Sequence, residues 1–339
     1  MSDNNPTLSL SEIRADQYKD MQVAAYQRDI ARLHARLDEF VQAPCPACGA
    51  DDAMFRFEKY RCRFVECRGC ATLYMNPRPS PAVMDDYYGN SENYAVWNQY
   101  IFPKSEASRR EKICRPNLER IVAECDRRGM TRPRLLEIGP GFGTFAALAL
   151  ESGRFGGVTV VERTPEMVAA CRAKALDVID SSLETIGDAQ AGMADVAVCF
   201  EVLEHVFDPT QFLQAVNRLL RPGGLFVFTC PNGVGFDTAV LQAASPSVDT
   251  EHVNLFNPRS IGVLLRRCGL EVQAVETPGR LDVELARRAA LSGEFDVSNQ
   301  PFWRQVLVDD FDRVGASLQQ FLAAHNLSGN MRVVAVKAA

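Results

Sequence analysis

Apolar positions in this chain follow two different periods. Residues 10–42 contain neither Pro nor Gly, and Val23, Tyr26, Ile30, Leu33, Leu37 and Phe40 recur there at steps of three and four. That is the spacing of one helix face. The stretch is expected to be a single helix whose seam either dimerises the chain or lies on its own body. Between residues 54 and 66, MFRFEKYRCRFVE alternates apolar and charged positions, as short strands do. A proline-rich break, NPRPSP (76–81), precedes an aromatic segment, DDYYGNSENYAVWNQYIF, and a helical stretch reaching about residue 129.

From residue 134 short apolar runs alternate with helical segments. The runs are RLLEI (134–138), GGVTVVE (156–162), ALDVID (175–180), MADVAVCF (193–200), GGLFVFTCPN (223–232), LEVQAVET (270–277) and MRVVAVKA (331–338). Such alternation predicts an α/β fold, a doubly wound, mostly parallel seven-stranded sheet covered by helices on both faces. The last run is able to enter antiparallel. The expected organisation is an N-terminal helix (1–42), a metal ribbon (43–80), an aromatic and helical lid (81–133), a ligand-binding domain (134–278) and a C-terminal extension (279–339).

The ribbon reading rests on cysteine. Five of the eleven cysteines fall within CPACGADDAMFRFEKYRCRFVECRGC, residues 45–70. Cys45/Cys48 and Cys67/Cys70 both keep C-x-x-C spacing, with eighteen residues between the pairs. Two such turns aim four thiolates at one point, the pattern of a closed, structural zinc site. Gly49 and Gly69 stand where a turn benefits from positive φ. Cys62 is a spare, read as a strand residue. The other six cysteines are dispersed, which argues against a disulfide framework. With the aromatic segment, the ribbon is expected to close over a bound acceptor.

Charge narrows the partners. The net charge is −6 over 339 residues, and residues 43–80 carry six Lys/Arg against four Asp/Glu. Nucleic acid is therefore a poor expectation, and Phe55, Phe57 and Tyr60 suit a small core better than base stacking. No run approaches the ~18 apolar residues of a membrane span. The opening MSDNNPTLSLSEIRAD lacks the pattern of a signal peptide, so the expected location is cytoplasmic.

The run at 134–138 leads into LLEIGPGFGTF. Gly139, Gly141 and Gly143 alternate with Pro140 and Phe142, and Glu137 stands just before them. A dinucleotide loop reads G-x-G-x-x-G and cradles a pyrophosphate. A carboxylate at its entrance suits a cation instead. S-adenosylmethionine carries an ammonium and a sulfonium and no phosphate. Glu162, which ends the next apolar run, is placed to accept the hydroxyls of a ribose.

With LEIGPGFGTF, VTVVE, ADVAVCFEVLEHVFDP and LLRPGGLFVFTCPN, residues 134–277 resemble the class I S-adenosylmethionine-dependent methyltransferases, which have a Rossmann-like fold. The resemblance implies methyl transfer from S-adenosylmethionine, with Phe200 and Glu201 beside the cofactor and Ser182 and Leu183 near its adenine. The ribbon joined to this domain is similar to the deoxysugar C-methyltransferases. In that family a Tyr-x-Glu-His segment supplies the base. Glu251 and His252 match it, and Asp249 holds the tyrosine position. His205, in EVLEHV, is the second candidate base. The expected acceptor is a small molecule, a sugar or glycan precursor first. Quinone or natural-product O-methylation and RNA methylation are the alternatives. His34 and His325 are read as surface residues.

Overall fold

The computed structural model describes residues 8–338 apart from Ala15. Three antiparallel strands follow the first cysteine turn: β1 (Ala53–Lys59), β2 (Cys62–Cys67) and β3 (Leu73–Met75). The second sheet draws on β4 (Arg134–Ile138), β5 (Gly157–Glu162), β6 (Asp177–Asp180), β7 (Ala194–Phe200) and β8 (Leu220–Pro231). The two-residue β9 (Asn254–Leu255) leaves it to pair with β3, and β10 (Leu270–Glu276) and β11 (Asn330–Lys337) return to it.

The large sheet has the order β10-β11-β8-β7-β4-β5-β6. β8, β7, β4, β5 and β6 run parallel, and β11 is antiparallel to both neighbours. All seven expected strands are present. Period-two alternation explains why both faces are buried. Val196 and Val198 of β7 face a cluster with Leu118, Ile121 and Phe145, while Ala197 and Cys199 face Leu203, Phe212 and Leu213. Strand order reverses between β4 and β7, and open α/β sheets bind ligands at the carboxyl ends of strands at such a point.

Two expectations need correction. Residues 10–42 are not one helix. They form Leu10–Ile13, a 3-10 turn at Asp16–Tyr18 and the helix Lys19–His34. The reason is tertiary: Ile30 and Leu33 are buried, Leu33 packs on Val83, Met84 and Tyr87, and Val23 faces solvent. Buried Asp29 then clamps the start of the helix Glu92–Val96, accepting from Ser91 Oγ (2.7 Å), Glu92 N (3.0 Å) and Asn93 N (2.9 Å). The second correction concerns the ribbon. Of the ribbon residues 43–80 only Pro79, at its far end, lines the large cavity, so the ribbon does not close over it. Cys45, Val65, Cys67, Cys70 and Tyr74 instead share a core with Phe212, Leu264 and Leu265 of the large domain. The wall over the cavity is helical, from Pro81–Asn90 to Arg115–Arg127. No helix of the described residues is long and apolar enough to cross a membrane.

Candidate active site

One cavity of about 1370 Å³ lies against the ends of β4, β5 and β7. That exceeds the ~300–1,000 Å³ usual for one small ligand and suits two side by side. The glycine loop forms its floor. Gly139, Gly141 and Gly143 have φ of 66°, 54° and 70°. A Cβ on Gly143 would meet Leu176 Cδ1 at 2.7 Å, and one on Gly139 would meet Val202 at 2.8 Å. At Gly141 no atom lies within 4 Å of that position, so the backbone is open to a ligand. Pro140 and Phe142 line the cavity beside it.

Glu137, at 3% exposure, reaches this floor from β4. Its carboxyl accepts from Ala146 N, yet Oε2 has no partner among the described residues. Burial, reinforced by the negative charge of Glu162, pushes its pKa up to about 8. A buried carboxyl with an orphan oxygen fits a cationic group, the reading made from the loop. Glu162 Oε1 accepts from Arg163 N (2.8 Å) and Thr164 N (2.9 Å), which fixes the side chain and leaves Oε2 for a ligand. Ser182 and Leu183 line the same end. Phe200 packs on Phe145 at 4.8 Å between ring centroids. Glu201 has φ 55°, a strained geometry for a non-glycine residue. Thr229 Oγ1 (2.6 Å) and Asn330 Nδ2 (2.9 Å) donate to it. The sequence-derived cofactor residues thus line one cavity, except Gly143, which packs against Leu176 and Cys171.

The loop at 247–253 carries both candidate acids and bases. Asp249 Oδ1 accepts from Glu251 N (2.8 Å) and His252 N (2.7 Å), closing a turn. The neighbouring side chains then diverge. Glu251 is buried, accepting from Tyr87 Oη (2.8 Å) and Tyr94 Oη (3.0 Å). Burial, then the negative charge of Asp249, pushes its pKa up to about 7. His252 Nδ1 lies 3.0 Å from the Ser247 carbonyl and 3.4 Å from Asp249 Oδ2. A carbonyl only accepts, so Nδ1 carries the proton and the lone pair is on Nε2. His205 Nδ1 pairs with Tyr88 Oη at 3.2 Å, and its ring packs on His252 at 4.7 Å. Burial, then repulsion from His252, drives the His205 pKa down to about 3.

Sequence reasoning missed five residues around this loop. Asp249 stood out as a departure from a motif, but it is the carboxylate nearest the His252 ring. Tyr87 and Tyr94 bring phenols to Glu251 and Tyr88 brings one to His205; their signal was the YY…Y spacing of the aromatic segment. Glu204 is fully buried with both oxygens unpartnered among the described residues, and its donor atom lies within 4.8 Å of those of His205 and His252.

Behind the loop stands the cysteine cluster. The four Sγ atoms of Cys45, Cys48, Cys67 and Cys70 lie within 4.8 Å of one another, with Cys45–Cys70 and Cys48–Cys67 at 3.5 Å. A tetrahedral zinc with ~2.3 Å bonds needs sulfurs about 3.8 Å apart, which these residues fit. Backbone N–H groups of Ala47 and Cys48 point at Cys45 Sγ, and those of Gly69 and Cys70 at Cys67 Sγ. Ala71, not Gly69, holds the left-handed position of the second turn (φ 58°). Cys62 stays in β2, buried against Phe64, Leu73 and Val253. Ring Nε2 of His34 is tied to the Tyr60 carbonyl at 2.7 Å, so that residue is half-buried and His325 alone of the two is fully exposed.

With this geometry in place, comparison with known proteins identifies the class. A family model described as "Methyltransferase domain" matches residues 107–275. The ubiquinone biosynthesis O-methyltransferase of Xanthomonas axonopodis pv. citri (strain 306) is 31% identical over 179 residues, covering 49% of this chain and 73% of the relative. That of Paracidovorax citrulli is 29% identical over 177 residues, covering 49% and 74%. Among solved structures, a Burkholderia thailandensis 1,6-didemethyltoxoflavin-N1-methyltransferase aligns with a TM-score of 0.43 at 14% identity, over 85% of this chain and 100% of that one. The chain belongs to the class I S-adenosylmethionine-dependent methyltransferases. It is an enzyme that methylates a small-molecule acceptor with S-adenosylmethionine as donor.

Proposed function

We propose that this methyltransferase acts on a hydroxyl or enolisable carbon of a sugar or glycan precursor, with His252 as general base. The observation that carries the base assignment is the Nδ1–H···O=C bond to Ser247, which leaves the His252 Nε2 lone pair free in a cavity it lines. S-adenosylmethionine supplies the electrophilic methyl group when bound. Glu137 and the glycine loop hold the amino-acid end of the donor, and Glu162 holds its ribose. His252 Nε2 takes the acceptor proton, and Asp249, 3.4 Å from Nδ1, stabilises the imidazolium that forms. His205, driven towards a pKa of about 3, is too weak a base and serves with Tyr88 to orient the acceptor. Tyr87 and Tyr94 fix Glu251 and with it the backbone of the loop.

A second reading, O-methylation of a quinone precursor, is favoured by the names of the relatives above. The test is a labelled-methyl assay against nucleotide sugars, hydroxylated quinone precursors and total RNA. With the acceptor so found, His252→Ala is expected to lower turnover by about 10²–10⁴ with cofactor binding intact. Wild-type turnover in that variant would remove His252 as the base; transfer to RNA alone would overturn the small-molecule reading.

We also propose that the four-cysteine cluster holds one structural zinc, which braces the catalytic loop from behind. Its support is mechanical. β9 is the outermost strand of the ribbon sheet, Met75 N donates to Val253 O at 3.0 Å, and Lys59 Nζ donates to Ser245 O at 2.9 Å.

A further inference from the structure

The cavity has two electrostatic halves. Its floor is acidic, with Glu137, Glu162 and Glu201 at the strand ends. On its helical wall the acids are neutralised, Asp85 by Arg163 and Glu106 by Lys174. Arg14 and Arg109 line that wall and sit over one indole, Trp97, at 5.4 and 5.8 Å from the ring centroid. Arg109 also lies 5.0 Å over Phe102, and Phe102 packs at 5.1 Å on Phe142 of the glycine loop. The two guanidinium groups therefore stand just across from the donor site.

Neither forms an ion pair among the described residues, although the negative charge of Asp249 reaches Arg14. Arg109 donates to Ser105 Oγ (3.0 Å) and the Ile13 carbonyl (3.1 Å), both neutral. The Arg14 backbone N–H donates to the Leu10 carbonyl at 2.8 Å, whereas its guanidinium makes no hydrogen bond among the described residues and is exposed at the cavity. The nearby acids are committed elsewhere. Glu106 is paired with Lys174 and Thr144 Oγ1, and Asp249 holds the Glu251 and His252 amides. Surrounding protein desolvates Arg109 and lowers its proton affinity to about 10; it acts in the same direction on Arg14, which keeps contact with solvent in the cavity. Two adjacent, partly desolvated cations with unused fork donors are costly unless an anion arrives. Guanidinium groups match the paired oxygens of phosphate and carboxylate.

We infer that Arg14 and Arg109, stacked on Trp97, form an anion subsite for a phosphate or carboxylate group on the acceptor. The inference rests on the small-molecule reading above and names the acceptor as an anionic one, held on the side of the cavity away from Glu137 and Glu162. These are binding residues; nothing in the geometry gives them a proton to move.

Trp97 makes the test direct. The chain has two tryptophans, so the full-length Trp303→Phe protein reports Trp97 fluorescence alone. It is titrated with inorganic pyrophosphate in one arm and benzoate in the other. A saturable change is expected in at least one arm, and which arm responds names the phosphate or the carboxylate as the source. Arg14→Gln is expected to weaken that midpoint about tenfold or more, the loss of a charge-assisted contact. Arg109→Gln should do the same. Should it fail to fold for want of its bonds to Ser105 and Ile13, Arg14→Gln decides. S-adenosylhomocysteine binding, followed by calorimetry, is expected to be unchanged in Arg14→Gln, which separates this subsite from the donor site. No saturable change with either anion, or equal midpoints in wild type and Arg14→Gln, would overturn the proposal. If S-adenosylhomocysteine fails to bind the wild type, the donor-site reading falls instead.

Discussion

Replacing Glu137 with Gln should make the ligand-free enzyme more stable and a worse binder of its donor. The ordinary carboxyl value is 4.5, and burial raises Glu137 to about 8. At about 1.4 kcal/mol per decade of proton affinity, ionising it in ligand-free protein costs about 5 kcal/mol. The folded value lies above the unfolded one, so the folded protein binds the extra proton between these limits. Stability is full below pH 4.5 and falls as pH rises towards about 8. Glu137→Gln abolishes that fall and should raise the melting temperature at pH 8. An arriving ammonium should hold Glu137 ionised and expel its proton. At pH 7 a group titrating near 8 is about nine-tenths protonated, so about 0.9 proton leaves per ligand bound, and affinity rises about tenfold per pH unit below 8. Calorimetry of S-adenosylhomocysteine in two buffers of different ionisation enthalpy measures that release. Heats that do not depend on the buffer, together with an unchanged affinity in Glu137→Gln, would refute the reasoning.

Zinc should copurify at about one atom per chain; Cys48→Ser should lose it and, because the ribbon carries β9, lose turnover as well, whereas less than half an equivalent by metal analysis would exclude the site. Glu162→Ala removes a charge-assisted ribose contact and should weaken donor binding by about ten- to a hundredfold, with unchanged calorimetric affinity counting against it. Gly143→Ala combines a φ of 70° with a 2.7 Å approach to Leu176 and should cost about 1–3 kcal/mol in a denaturant melt.

The sheet and most of the cavity lining at its strand ends were legible because both are local in sequence. Seven apolar runs with turns between them specify a wound sheet, and Glu137, the glycines and Glu162 occupy fixed offsets from strand ends. The acceptor side was harder, since its residues come together only in the fold. Tyr87 and Glu251 are 164 positions apart, and Tyr88 and His205 are 117 apart. No spacing rule links them. The long helix failed for a related reason: its heptad-like steps are real, but Ile30 and Leu33 spend them on the chain's own body. The ribbon was recognised from its cysteines and misplaced over the cavity, because nothing in its own sequence reveals that its fourth strand is lent by residues 254–255.

That loan sets an order of assembly. β3 waits some 180 residues for its outer neighbour, since Tyr74 pairs with Asn254. Contacts of such separation form late and slow folding. During synthesis the four-cysteine cluster can come together while its sheet still has an open edge, a place where another chain can add. The segment that covers this edge is the one that carries His252. Setting His252 against the cavity and covering the open strand edge are therefore one event, and a chain cut before residue 254 should lose both together.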